Sequence, residues 1–218
     1  NCTSIEEIKE KIKAAIEIEE EGEWVSMMGY EPQALEEGRH PTIEDLDEVS
    51  PNNPVQCMHR SGHVSVYNTR ALRELGVEEA RDAEKFPKDE VEVRDGKLTG
   101  MVKDHTHFSL WAKVDYRPEQ QKKAAMKSYE RLIRNGITSI HDCGECGPSS
   151  YKIMQMICNN RSFKVRSYMM IHSIYGKPFA LEENKLFLDL GLLTGIGNEY
   201  FRFGSNKFMI DGGSSAPS

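Results

Sequence analysis

The sequence predicts an α/β protein in which a parallel sheet or (β/α) barrel follows an α+β segment. From residue 117 onward, candidate strands and helices alternate, which is typical of parallel strands joined by helices. Between residues 31 and 116 the chain is richer in Pro, Asn, Asp and Gly and holds short β-like runs, which indicates an inserted α+β subdomain. We therefore divide the chain into residues 1–30, 31–116 and 117–218.

The first part, residues 1–30, is predicted to form one helix and one strand. Thr3 and Ser4, followed by two glutamates, are typical of a helix N-cap with an acidic first turn. Isoleucines at near-helical spacing predict a helix from Ser4 to Glu20, which Gly22 ends. The run WVSMMGY, bounded by glycine and proline, predicts a buried strand.

The second part, residues 31–116, holds four short runs that predict strands: 55–58, 64–67, 91–93 and 98–102. The segment Arg94–Lys97, with the sequence RDGK, is a hairpin turn signal between the last two runs. One helix is predicted from Thr69 to Leu75, with Asn68 or Thr69 as its N-cap and Gly76 after its end.

The third part, residues 117–218, supplies the alternation. Its predicted helices and strands are, in chain order, helix 118–134, strand 137–141, helix 148–159, strand 165–172, helix 178–190 and strand 202–210. Polar residues follow or end these strands: His141, Asp142, His172 and Asp211. Because ligands bind at the carboxyl ends of parallel strands, these residues are expected to mark a site.

Composition excludes several classes of protein. The formal net charge of −7 and the pI near 5.6 disfavour a nucleic-acid binder, which usually carries a basic surface. The sequence holds no apolar run long enough to span a bilayer and its N-terminus is not a signal peptide, although the missing initial Met predicts a processed or excised piece. Five scattered cysteines are typical of a reducing cytoplasm rather than of a disulfide framework.

The pair His105 and His107 forms an H-x-H, a spacing found in many metal hydrolases. On a strand, both imidazoles would point to one face and could bind a metal. The pair, however, follows a hairpin strand inside the second part, a context that favours an interface or surface pair.

Two further motifs leave alternatives open. Cys143 and Cys146 form a C-x-x-C between a strand and a helix, which fits a redox pair, half of a zinc site or two free thiols in a loop. Lys207 shares a strand face with Asp211, which indicates an ion pair or a functional lysine. His63, in the turn Ser61-Gly62-His63, is by itself an ordinary turn residue.

Five segments, taken in order, resemble the YtcJ-like branch of amidohydrolase family 3, which includes N-substituted formamide deformylases. They are WVSMMGYEP, HPTIEDLDEVSPNNPVQCMHRSGHVSVYNTRAL, LTGMVKD, RNGITSIHDCG and NKFMIDGGSSAPS. The resemblance implies a partial (β/α) barrel of TIM type, made of middle strands only, with an inserted α+β subdomain. It also implies metal-dependent hydrolysis of a non-peptide C–N bond in a small amide or formamide, with zinc as the expected divalent metal.

The same resemblance assigns roles to single residues. Lys207 falls on the family's metal-binding lysine, and Trp24, His63, Asp104 and Asp211 fall on or beside positions expected to contact substrate. Asp104 stands where the family more often has Glu. The family's own H-x-H and its later metal ligands would lie outside this sequence.

The chain is therefore expected to be a central fragment that is inactive alone and that self-associates through open sheet edges. Expected partners are a small amide substrate, with neither nucleic acid nor membrane. Two alternatives remain: a non-catalytic half-barrel that binds a small ligand, and a thiol–disulfide protein that uses Cys143 and Cys146.

Overall fold

The computed structural model describes residues 2–111, 113–114, 117–143, 148–159, 164–173, 185 and 189–208. They form two compact units, one within residues 1–115 and the other within residues 116–210. Each unit has its own sheet and its own apolar core.

The first unit is built on a five-stranded sheet. Its strands are Val25–Tyr30 (β1), Val55–His59 (β2), Val64–Tyr67 (β3), Val91–Arg94 (β4) and Lys97–Lys103 (β5). Its helices are Ile5–Ile16 (α1), Ile43–Asp47 (α2), Thr69–Glu74 (α3) and Asp104–Trp111 (α4), with two 3-10 turns at Pro32–Ala34 and Ala80–Lys85. The strand order is β1-β2-β3-β5-β4, in which β1 and β2 are parallel and the other neighbours are antiparallel.

Helix α1 packs its isoleucines into the core of the first unit. Ile5, Ile8 and Ile12 are almost completely buried, and the Ser4 side chain accepts a hydrogen bond from the backbone N–H of Glu7 at the start of the helix. The helix ends at Ile16 rather than at the predicted Glu20. Five glutamates between residues 17 and 23 explain the shorter helix, since negative charge is unfavourable at a helix C-terminus.

Asn68 makes four hydrogen bonds, which join the start of α3 to β2 and to the segment before β2. Its Oδ1 accepts from the backbone N–H groups of Val55 and Ala71, both at 2.9 Å. Its Nδ2 donates to the backbone carbonyls of Ser50 at 2.7 Å and Asn53 at 2.9 Å. Because the whole carboxamide is satisfied, Asn68 tolerates complete burial, and its predicted role as N-cap is confirmed.

The predicted hairpin at residues 94–97 is confirmed. Arg94 pairs with Lys97 across β4 and β5, and the two turn residues Asp95 and Gly96 both have positive φ, 51° and 74°. Such a two-residue turn matches the twist of the strands and favours Asp-Gly.

Two helices of the first unit were absent from the sequence prediction. Helix α2 begins with a capping box, in which Thr42 and Asp45 exchange side-chain to backbone hydrogen bonds. The sequence T-I-E-D carries that signal, although the motif more often ends in Glu or Gln. Helix α4 contains both histidines of the H-x-H, so the strand geometry that would place both imidazoles on one face does not occur, and His107 is buried rather than at the surface.

The second unit is a three-stranded parallel sheet with two described helices. The strands are Ser139–Asp142 (β6), Arg166–Ser173 (β7) and Phe201–Phe208 (β8), in the order β6-β7-β8. The helices Pro118–Arg134 (α5) and Pro148–Asn159 (α6) have the predicted bounds. Tyr129, Tyr151 and Met169 lie in the buried core. The predicted helix 178–190 falls mostly outside the described residues.

The predicted α/β class is confirmed, whereas the partial barrel and the three-part division of the chain stay predictions. The described strands form two separate sheets, one mixed and one parallel. Strand β1, placed by the sequence in the part before residue 31, pairs with β2 in the first sheet. None of the helices in the described part of the chain combines the length and apolarity that a membrane span requires.

Candidate functional site

The structure brings together two of the predicted site residues, His63 and Asp104. His63 follows Gly62, whose φ of 75° turns the chain into β3, and Asp104 follows β5. The two residues are joined twice: His63 Nδ1 lies 3.4 Å from Asp104 Oδ1, and the Asp104 backbone N–H donates to the His63 carbonyl at 2.8 Å. A carboxylate beside an imidazole can orient it or move a proton with it.

Helix α4 is held in place by Glu90, which lies in the turn just before β4. The Glu90 carboxylate accepts hydrogen bonds from the backbone N–H of Thr106 at 2.7 Å and from its hydroxyl at 2.6 Å. The first of these bonds gives a partner to one of the backbone N–H groups that have none within the helix. Asp104, the first residue of the helix, has a positive φ of 43°. The turn points Phe108 at His63, with the two rings 5.2 Å apart and edge to face.

His107 lies beneath this pair and is completely buried. Its ring stacks on Trp111 at 5.9 Å and also contacts Phe108 at 5.0 Å. Neither ring nitrogen has a hydrogen-bond partner of normal geometry among the residues that the structure describes. Burial lowers the pKa of His107 to about 4, and the Gly62 backbone opposes this shift in part. The imidazole is therefore neutral at pH 7.

Trp24 does not lie beside His63 and Asp104. It immediately precedes β1 and is buried, and its neighbour Val25 pairs with Val55 at the amino ends of β1 and β2. His63 lies just before β3, which runs antiparallel to β2, and is therefore close to the carboxyl end of β2. Asp211 lies outside the described residues.

Lys207 lies in the second unit, close to the carboxyl end of β8, and its side chain is half-buried. Its backbone is the register partner of His172 on β7, and Asp142 ends the neighbouring strand β6. The parallel strands therefore bring three predicted positions toward one edge of the sheet. Among the residues that the structure describes, no group of three or more His, Cys, Asp and Glu side chains is arranged to hold a metal ion. These residues alone do not fit a complete metal centre.

The cysteines divide by exposure. Cys57 and Cys158 are buried in the cores of the first and second units, and burial raises the pKa of Cys57 to about 12. Cys143 is free and exposed after β6, whereas its predicted partner Cys146 lies outside the described residues. The thiol–disulfide alternative stays a prediction.

A second group of polar residues, at the ends of β1 and β2, was missed by the sequence reasoning. Tyr30 Oη lies 2.7 Å from His40 Nδ1, and His59 Nε2 lies 3.2 Å from Glu31 Oε1. The ring centroids of Tyr30, His40 and His59 are 5.6 to 5.8 Å apart. One signal could have found two of the four residues, because His59 directly follows the predicted strand 55–58 and Glu31 directly follows the predicted strand WVSMMGY.

Comparison with known proteins gives a consistent result along the whole sequence. The model of the amidohydrolase family matches residues 1–217. Over 215 residues the chain is 25% identical to Protein LONG AFTER FAR-RED 3 of Arabidopsis thaliana, covering 95% of this chain and 36% of that protein. Over 56 residues it is 38% identical to an N-substituted formamide deformylase of Arthrobacter pascens, covering 26% of this chain and 10% of that protein.

Two solved structures have a similar fold. Both are crystal structures of uncharacterized metal-dependent hydrolases. The one from Pyrococcus furiosus has a TM-score of 0.59 and 20% identity, covering 93% of this chain and 38% of its own. The one from Pyrococcus horikoshii OT3 has a TM-score of 0.61 and 17% identity, covering 94% and 37%. The chain thus spans 36–38% of the length of the proteins that it matches over most of its residues.

Proposed function

The chain belongs to the amidohydrolase family, and on that premise we propose that it forms part of a metal-dependent hydrolase that cleaves a non-peptide C–N bond. The family match over residues 1–217 carries this proposal. The proposed bond type is supported by the shorter similarity to an N-substituted formamide deformylase, whose substrates contain an amide linkage. The proposed substrate is accordingly a small amide or formamide.

Within that function, we propose that Lys207 is a metal contact and that His63 and Asp104 face the substrate. The proposed metal is zinc, which in catalytic sites is held by three protein ligands and lowers the pKa of bound water. Because the described residues do not include three such ligands, no catalytic step is assigned to them. We propose that residues 1–218 alone are inactive and that the full-length protein supplies the remaining ligands.

The experiment that tests this proposal compares two lysine variants in the full-length protein. Lys207→Ala is expected to lower bound zinc, measured by inductively coupled plasma mass spectrometry, and to abolish hydrolysis of N-substituted formamides. Lys185→Ala, an exposed lysine whose ion pair with Asp189 contributes little, should leave both unchanged. A full-length protein that binds no divalent metal would rule out the proposal, and unchanged metal content in Lys207→Ala would remove Lys207 from it.

A non-catalytic, ligand-binding role is the second candidate, and a cavity of about 510 Å³ in the first unit favours it. It predicts saturable binding of small molecules by the full-length protein without turnover. We also propose a cytoplasmic location and self-association through edge strands such as β1, where Met28 is 68% exposed. A constant monomer mass in light scattering across a wide concentration range would contradict self-association.

A further inference from the structure

The cavity of about 510 Å³ opens where β1 and β2 end. These strands are the parallel pair of the first sheet, and Glu31 and His59, at their carboxyl ends, both line the cavity. Ligands of sheets with parallel strands bind beyond those ends, and small-molecule pockets have volumes of roughly 300–1,000 Å³. Position and size therefore both fit a small ligand.

The hydrogen bonds of His59 show that this imidazole is fully engaged by the protein. The backbone N–H of Ser61 donates to His59 Nδ1 at 3.1 Å, so Nδ1 carries no proton. The proton of neutral His59 is then on Nε2, which donates to Glu31 at 3.2 Å. His59 and Glu31 therefore line the cavity, but their hydrogen bonds to the protein leave the His59 nitrogens unavailable to a ligand.

His40 differs because one of its nitrogens is left for a ligand. Burial raises the pKa of Tyr30 far above its usual range, so Tyr30 keeps its proton, and its Oη lies 2.7 Å from His40 Nδ1. In the tautomer in which the phenol donates to Nδ1, His40 carries its own proton on Nε2. No described residue accepts a hydrogen bond from that Nε2–H, although the ring lines the cavity.

Among the residues that the structure describes, one cation that lines the cavity has no ion-pair partner, whereas the other two are paired. Arg39 pairs with Asp45 at 2.6 Å, and Arg94 pairs with Glu92 at 3.4 Å. Lys103, at the end of β5, lines the cavity but makes no ion pair with any residue that the structure describes. Its charge acts on His40, since burial first and then His59 and Lys103 lower the pKa of that imidazole.

We propose that this cavity binds a small oxyanion, with the Lys103 ammonium and the His40 Nε2–H as its direct contacts. A carboxylate or phosphate group offers acceptor oxygens for both donors and balances the charge of Lys103, which makes no ion pair with the described residues. Glu31 is paired with Arg60 at 3.5 Å and Glu92 with Arg94 at 3.4 Å, and both therefore repel such a ligand less than free carboxylates would. The proposal does not depend on the hydrolase function.

The test is calorimetric titration of the 218-residue chain with acetate and with inorganic phosphate at constant ionic strength, set by sodium chloride. Lys103→Met is expected to weaken binding about tenfold or more, as loss of a charge-assisted hydrogen bond predicts. Lys97→Met, an exposed lysine on the same strand, should bind like the parent chain. Circular dichroism of both variants checks that the fold is unchanged.

Imidazole ¹H–¹⁵N spectra locate the ligand, because the His40 Nε2 resonance should shift saturably during the titration. His40→Gln, which keeps an N–H donor, should bind more tightly than His40→Phe. Binding of acetate alone identifies a carboxylate site, binding of phosphate alone a phosphate site, and binding of both a general oxyanion site. The proposal is overturned if neither anion gives saturable binding, or if the Lys103 and Lys97 variants behave alike.

Discussion

Among single residues, His107 shows most clearly how a polar group can weaken its surroundings. Its ring is completely buried, and within the described part of the chain both nitrogens lack hydrogen-bond partners of normal geometry. A buried donor or acceptor without a partner costs about 1–3 kcal/mol, which ring stacking on Trp111 offsets in part.

Replacing His107 by Phe is therefore expected to stabilise the protein. Phenylalanine keeps a flat ring between Trp111 and Phe108 and removes both unpaired nitrogens. The free energy of unfolding at pH 7, measured by urea denaturation, should rise by about 1–2 kcal/mol. His105→Phe, at a half-exposed position of the same helix, should give no such gain. A loss of stability in His107→Phe would show that the imidazole makes a contact worth more than its burial costs.

His107 should also make the protein less stable as the pH is lowered. The pKa of His107 is about 4 in the folded state and near 6.5 when unfolded, so the unfolded chain binds more protons between these values. The stabilisation is complete above pH 6.5 and decreases as pH falls toward 4, by an amount on the order of 3 kcal/mol. His107→Phe should remove this part of the pH dependence, while His40, whose pKa is also lowered, keeps a smaller part. Parallel pH profiles for the parent and the variant would contradict the assignment.

The residues of the candidate sites were only partly predictable. The resemblance named His63 and Asp104 separately, but their contact joins residues 41 positions apart and depends on how β3 and β5 pair. His40 carried no signal because it lies in a loop and gains its role from Tyr30 in the fold.

Among elements, those with signals inside their own sequence were predicted best. Helices α5 and α6 begin at a proline, α3 at the Asn68 cap, and the β4–β5 hairpin turns at Asp-Gly. The start of α4 could not be found locally, because the Glu90 carboxylate that bonds its first turn comes from the turn before β4. Capping residues and turn residues within an element can be recognised in the sequence, whereas a capping side chain 16 residues away cannot.

Two glycines of the β4–β5 hairpin allow the cost of backbone strain to be separated from the cost of crowding. Gly96 and Gly100 both have positive φ, 74° and 88°. A Cβ at Gly96 would meet nothing within 4 Å, whereas one at Gly100 would lie 2.5 Å from the Tyr67 carbonyl oxygen. Gly96→Ala should therefore cost about 1 kcal/mol of unfolding free energy, and Gly100→Ala about 3 kcal/mol or more. Equal losses of unfolding free energy for the two variants, in thermal or urea unfolding, would mean that β3 shifts to make room for the new methyl group at residue 100.

At the scale of the whole molecule, the described chain consists of two units with separate cores. Ile8, Leu46 and Val55 are buried in the first, and Tyr129 and Met169 in the second. The alternation of strands and helices after residue 117 predicted the second unit, because hydrophobic periodicity and the proline and glycine residues at element ends are local properties of the sequence. Closure into a barrel is a long-range property, and for that the sequence offered a resemblance alone.

A chain of residues 1–115 is expected to fold without the rest. Its sheet and core are built from its own residues, so urea unfolding should remain cooperative, with a smaller m-value in proportion to the smaller surface exposed. Its amide NMR spectrum should overlay the matching signals of the 218-residue chain. A spectrum typical of an unfolded chain would show that residues 116–210 are needed for folding.

Each core contains a buried thiol whose rate of chemical labelling reports on the opening of that core. Cys57 is enclosed in the first core and Cys158 in the second, 2% and 0% exposed, so a thiol reagent reaches either one when that core opens. With Cys2, Cys143 and Cys146 replaced by serine, two labelling rates read by peptide mass spectrometry would time the opening of each unit separately. Equal rates would mean that the units open together, and unequal rates would rank them, with no probe added to the protein.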